Sequence, residues 1–280
     1  MKRKVILPPF TIILSMVPRI QIKKNDTIRG KDKNMIFTLY GLNSAREVLR
    51  EIPADIISIN VQKTGQAEKD TRLKDLLKNN NLKVNRMERD AFSLKYPNRR
   101  TQGIVITFRK NPAVPLPTLS SIKGDFCVLA LDRVEDPQNL GQILRTAECA
   151  GINGILITRH ASSGVTETVL QVSQGAFCHL PIYEAANLNQ ALTKLKKDGF
   201  WIVGVESGIA TAQDWHSIDL TGKVVLVLGS EGKGIRRLIL ESCDFIATIP
   251  MQGAIDSMNV SAAVSAIVFE RLRQLQSKNQ

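Results

Sequence analysis

The apolar positions of this chain fall into two regular stretches separated by a proline-rich gap. In the first, the segment from Tyr40 leads into a helix ending at Leu49, with Ala45, Val48 and Leu49 on one face. Residues 55–61 carry several β-branched side chains and predict a strand. Leu73, Leu76 and Leu77 share the apolar side of a helix expected over 68–78. A short strand over 82–84, a helix over 89–95 and a buried strand over 103–108 complete a small α/β domain spanning 37–109.

The second stretch alternates differently. Residues 126–131, 154–158, 200–205 and 224–228 are nearly continuous apolar runs, as expected of strands buried on both faces of a parallel sheet. Helices are expected between and after them, over 138–150, 166–174, 188–197, 234–241 and 260–275. This predicts a second α/β domain over 123–280, with its site at the carboxyl ends of the strands. Pro112, Pro115 and Pro117 make residues 110–122 an extended linker between the two.

Charge sharpens that division. The chain has 280 residues and a net charge of +12, yet residues 1–117 hold 24 Lys and Arg against 10 Asp and Glu. The remainder is slightly acidic, with 14 basic and 16 acidic residues. A polyanionic partner for the N-terminal part is one reading; a solvated basic face is the other. Residues 1–36 form a basic extension with no clear periodicity, expected to be poorly ordered. It reads either as a basic arm or as sequence upstream of a true start at Met35, and the second is favoured. Pro8 and Pro9 interrupt its apolar run and no cleavage site follows, which argues against a signal peptide. No stretch is long and apolar enough to span a bilayer, and the scattered cysteines suit a reducing cytoplasm, the expected location. Cys127, Cys149, Cys178 and Cys243 form no CxxC pair and are expected to be buried thiols. His160, His179 and His216 lack metal-ligand spacing, so no metal is expected.

Three segments, each following an expected strand, carry candidate chemistry. Residues 131–147 place Pro137 at the start of a helix, with Asn139 and Arg145 as its polar residues. An arginine there suits bidentate contact with a phosphate, though taken singly it also reads as a surface residue. In residues 226–235 a strand runs into Gly229, Gly232 and Gly234, with Glu231 between. Such glycines let a backbone approach a ligand, but a plain tight turn reads equally well. Residues 249–263 run from Ile249 through Gly253 to Ser257, Met258 and Asn259, where Asn259 is a candidate helix cap.

Together, in order and spacing, these segments resemble the three motifs of the SpoU (TrmH) family of RNA ribose methyltransferases in the SPOUT superfamily. The resemblance covers 126–275, and Tyr40-Gly41 with Gln102-Gly103 extends it to that family's L30e-like substrate-binding domain. It implies an α/β fold with a SPOUT-type parallel sheet tied in a deep trefoil knot, behind a small N-terminal L30e-like domain. It also implies a homodimer, S-adenosyl-L-methionine as methyl donor, and RNA as substrate. By position, Gly229, Ile249 and Met258 would hold the donor. Asn139, Arg145, Glu231, Ser257 and Asn259 would form the catalytic and RNA-side group. Most family members carry Leu at the position of Met258, a swap that keeps volume and apolarity. The expected substrate is a guanosine of 23S rRNA, with tRNA methylation and a catalytically inactive assembly factor as alternatives.

Overall fold

The computed structural model describes residues 35–278, except 98, 161 and 256; the expectations for residues 1–34 lie outside the described residues. The first unit runs β1 (Met35–Tyr40), α1 (Leu42–Glu51), β2 (Ile56–Gln62), α2 (Gln66–Lys69), α3 (Thr71–Asn79), β3 (Asn85–Met87), α4 (Arg89–Lys95) and β4 (Ile104–Lys110). Its sheet has the order β1-β4-β2-β3, antiparallel except for the β2–β3 pair.

Two expectations shift here. The single helix over 68–78 is broken at Asp70, whose carboxylate accepts the Leu73 N–H at 2.7 Å and so starts α3 afresh. The short strand lies at 85–87 instead of 82–84: Leu82 and Val84 pack half-buried against the core without entering the ladder.

The second unit runs β5 (Val114–Pro115), β6 (Phe126–Asp132), α5 (Pro137–Cys149), β7 (Gly154–Thr158), α6 (Glu167–Val172), β8 (Ile182–Ala185), α7 (Leu188–Lys197), β9 (Trp201–Val205), β10 (Gln213–Asp214), β11 (Lys223–Gly229), α8 (Arg237–Leu240), β12 (Phe245–Thr248) and α9 (Val260–Lys278). All eight strands are parallel, in the order β10-β12-β9-β11-β6-β7-β8-β5. Every residue of β6 and β7 is buried, the reason these runs are apolar throughout. Asp136 caps α5 by accepting the Gln138 N–H at 2.9 Å, ahead of Pro137 in the first turn. The helix expected over 234–241 shortens to α8, because Gly234 to Arg236 are drawn into the loop described below.

The two units share one apolar core. Phe108 of β4 stacks on Phe177, with centroids 5.8 Å apart and planes 11° apart. Gln171 of α6 accepts the Tyr40 N–H at 3.0 Å and donates to the Tyr40 carbonyl at 2.9 Å, as a neighbouring strand would. Thr38 N–H donates to Glu167 at 2.7 Å, and His179 meets Glu47 at the same distance. Part of the proline-rich segment joins the sheet of the second unit, with Val114 paired to Tyr183.

The expectation of four buried thiols is corrected: Cys127 is buried, Cys178 and Cys243 are half-buried, and Cys149 is exposed. Burial pushes the Cys127 thiol up to about 11 and the Cys178 thiol up to about 12, leaving both protonated at neutral pH. Among the described residues, no helix is long and apolar enough to cross a membrane.

Candidate active site

A cavity of about 330 Å³ opens at the carboxyl ends of β9 and β11, at the small end of the ~300–1,000 Å³ range of small-molecule sites. Gly229, Glu231, Ile249, Ser257 and Met258 all line it. Leu228, Val260 and Ala263 add apolar wall, and Glu206 and Ser207 contribute a polar side.

The glycine loop is folded tightly onto its own strand. A Cβ on Gly229 would lie 2.0 Å from the Gly234 carbonyl carbon, so no larger residue fits without moving backbone. The Gly234 N–H closes the turn onto the Ser230 carbonyl at 2.9 Å. Gly234 has φ +60°, and a Cβ there would meet the Glu206 carboxylate at 2.3 Å.

Two strand-end carboxylates then hold the loop's exit. Glu206 accepts the Ile235 N–H at 2.6 Å and the Ser207 N–H at 3.2 Å. Asp132, fully buried at the end of β6, accepts the Arg236 N–H at 2.9 Å and takes its guanidinium on both oxygens at 2.8–3.1 Å. Such a charge-assisted fork compensates a carboxylate that would otherwise be costly to bury. Consecutive amides of the glycine segment are therefore fixed by residues from two different strands.

Asn259 gathers the remaining residues. Its Nδ2 donates to Asn139 Oδ1 at 3.0 Å and reaches Glu231 Oε2 at 3.4 Å. Its Oδ1 accepts the Ser261 N–H at 2.9 Å and so caps α9. Ser261 Oγ also lies 3.0 Å from Gln142 Oε1, a second tie between α9 and α5. Asn139 is nearly buried, whereas Asn259 is exposed, as are the cavity-lining Glu231 and Ser257. Arg145 stands apart: it is exposed further along α5, does not line the cavity, and has no hydrogen-bond or ion-pair partner among the described residues. The structure thus brings together seven of the eight expected site residues and leaves Arg145 on the open surface beyond them.

The description "SpoU rRNA Methylase family" matches residues 127–269, and "RNA 2'-O ribose methyltransferase substrate binding" matches 38–113. The chain belongs to the SpoU rRNA methylase family. A 23S rRNA (guanosine-2'-O-)-methyltransferase, RlmB, of Xylella fastidiosa is 44% identical over 151 residues, covering 54% of this chain and 60% of that protein. The chain thus spans about 60% of the length of the curated relatives it matches. The fold is that of the SpoU methyltransferase AviRb from Streptomyces viridochromogenes, solved with the cofactor AdoMet (TM-score 0.69, 22% identity, 86% of this chain and 91% of that one). An AdoMet-bound rRNA methyltransferase from Sinorhizobium meliloti has the same TM-score at 24% identity, over 86% of this chain and 88% of that one.

Sequence reasoning missed three members of this candidate site: Glu206, Asp132 and Gln142. Glu206 follows an apolar strand with no motif around it, although its place after a run ending at Val205 is a usable signal. Asp132 lies inside the first motif but draws no notice until its partner, Arg236, is seen 104 positions away.

Proposed function

We propose that this chain transfers a methyl group from S-adenosyl-L-methionine to a ribose 2′-hydroxyl in structured RNA, most specifically a guanosine of 23S rRNA. The observation that carries the reading is the hydrogen-bonded cluster of Asn139, Asn259 and Glu231, drawn from three separate segments, in which Glu231 also lines the cavity at the strand ends. The RlmB relative supports the guanosine assignment.

The residues present fit the donor. The cavity offers an apolar wall of Leu228, Ile249, Met258 and Val260 for a purine ring and a close glycine backbone for its edge. Glu206 has acceptor capacity beyond its two amide contacts, since an ionised carboxylate takes about four hydrogen bonds. A strand-end carboxylate is a common acceptor for ribose hydroxyls in parallel α/β sites. When bound, the donor supplies an electrophilic methyl on a sulfonium.

The chain's own task is alignment, which alone is worth several kcal/mol. Asn259 and Asn139 fix each other's amides and, with Ser257 and Glu231, define where the ribose sits. Arg145, exposed further along α5 beyond them, grips the adjoining phosphate as a planar fork and orients the hydroxyl. Guanidinium stays protonated in proteins, so the hydroxyl proton leaves to a phosphate oxygen or to water.

The same reading divides the chain into the basic extension 1–36, an RNA-binding unit 37–109, the segment 110–122 and a catalytic unit 123–280. It includes the trefoil knot, a cytoplasmic location and a homodimer. Ile255 is 74% exposed and Met258 40% exposed beside the cavity, apolar surface that a second copy would cover. Ribose-methylation mapping across rRNA and tRNA in a strain lacking the protein tests the reading. Loss of one 23S rRNA guanosine mark supports it; loss of a tRNA mark moves the substrate; no lost mark, with no donor binding by the purified chain, overturns it.

A further inference from the structure

A second cleft, of about 440 Å³, lies on the N-terminal unit and shares no residue with the cavity above. Its lining includes Arg89, Phe92, Tyr96, Arg99, Arg100 and Thr101. The floor is apolar and fixed: Phe92 is buried, and its ring tilts against that of Tyr96 with centroids 5.1 Å apart. The rim is cationic. Arg89, Arg99 and Arg100 are all exposed, and Lys95 adds a fourth charge 5.5 Å from the centre of the Tyr96 ring. None of these three arginines has a carboxylate partner among the described residues. Arg46, Arg50 and Arg86 of the same unit do, in Asp70, Glu47 and Glu68.

The wall carrying Arg99 and Arg100 is preset by its backbone. Thr101 N–H donates to the Arg99 carbonyl at 2.9 Å, and Gly103 N–H donates to Thr101 Oγ1 at 3.2 Å. Gln102 sits in the left-handed region at φ +51°, a conformation strained for a residue with a side chain. Its side chain accepts the Leu42 N–H at 2.9 Å, and its carbonyl accepts the Ala67 N–H at 3.1 Å. Such a conformation persists where neighbours hold it, as they do here. The Arg99 guanidinium rests 5.4 Å from the centre of the Tyr40 ring.

An aromatic face over an apolar floor, ringed by unpaired guanidiniums, matches an unstacked base with its phosphate. A base inside a duplex hides its face and cannot enter. We propose that this cleft captures one unpaired nucleotide of the RNA substrate, its base against Tyr96 and its phosphate among Arg89, Arg99 and Arg100. This is a second grip, separate from the ribose to be methylated, and it rests on the reading that RNA is the substrate.

The test uses the full chain, a labelled oligouridylate and a blunt RNA duplex. Tyr96→Ala is expected to weaken oligouridylate binding about tenfold, Tyr96→Phe to restore it to within about twofold, and neither to change duplex binding. Arg100→Gln is expected to lower the salt slope of oligouridylate binding by about one. Unaltered oligouridylate affinity in Tyr96→Ala, or equal losses for both RNAs, overturns the proposal. Donor binding and methyl transfer are measured alongside. Their absence with oligouridylate capture intact sinks the methyltransferase reading; their presence with no response to Tyr96 sinks the cleft.

Discussion

Asn259 Nδ2 donates to Asn139 Oδ1 at 3.0 Å across 120 positions of sequence, joining the start of α9 to the first turn of α5. The same side chain caps α9 through its other end. One residue thus carries both a folding role and a place at the site, and substitutions separate the two. Asn259→Ala removes both. It is expected to lower stability by about 1 kcal/mol, the ordinary value of such a cap, and to abolish methyl transfer. Asn259→Asp retains the cap oxygen but turns the donor into an acceptor facing Glu231. Its unfolding midpoint should stay near that of the parent while methyl transfer still fails. An active Asn259→Asp variant would remove this hydrogen bond from the chemistry.

Arg145 is exposed and without a partner among the described residues, so its removal has little to disturb in the fold. Arg145→Ala is expected to leave the unfolding midpoint and donor affinity unchanged and to abolish methyl transfer. Arg145→Lys should fail as well, since a point charge does not replace a planar fork. Turnover near the parent's rate in either variant excludes the role given to it.

Glu206 makes a prediction that binding alone can check. If its carboxylate accepts a donor ribose hydroxyl, Glu206→Gln weakens S-adenosylmethionine and S-adenosylhomocysteine by the same factor, about tenfold, the ordinary value of a charge-assisted hydrogen bond. Deoxyribose analogues of the product should then bind parent and variant equally. A loss that persists with the deoxy analogues would assign Glu206 to holding Ile235 N–H alone.

Glu270 of α9 is almost fully buried, and its hydrogen bond from Arg273 holds its carboxyl down at about 2, with Gln274 and His216 assisting. Its ordinary value is 4.5, so the stability it contributes is present in full above that pH and is lost as pH falls through about 2. Arg273 is more than half exposed, and screening reduces the contribution to about 1–2 kcal/mol. Glu270→Gln should therefore unfold more readily than the parent at neutral pH and converge with it near pH 2. Denaturation curves at a series of pH values give the comparison; a constant difference across the acid range would show that the ion pair is not its source.

Long buried strands and helices with one apolar stripe were legible because burial on both faces, or on one, writes a period into the sequence. The runs of β6, β7, β9 and β11 stand out for that reason. Strands β8 and β12 did not, since each has four residues, half of them only partly covered. Asp70 shows another limit: one capping side chain splits a helix without disturbing the spacing of the leucines around it. At the site, motif order located five residues lining one cavity and two asparagines bonded to one of them, because the glycine and small-residue patterns mark where backbone must come close. Asp132 and Glu206 stayed hidden because their work is pairing with amides far along the chain, which leaves no local pattern.

The double hydrogen bond from Gln171 to the Tyr40 backbone and the stacking of Phe108 on Phe177 make the N-terminal unit a mounted part and not a tethered one. What fixes its orientation is the interface, with β5 pinned to β8 behind it. The residues between β4 and β5 are then slack in the mechanical sense. Lengthening the chain at 111–113 should leave the chosen nucleotide unchanged, whereas Gln171→Ala, which frees the Tyr40 backbone, should blur the choice. On the proposed reading, substrate choice is then set as in a caliper, by the rigidity of the frame between the two jaws.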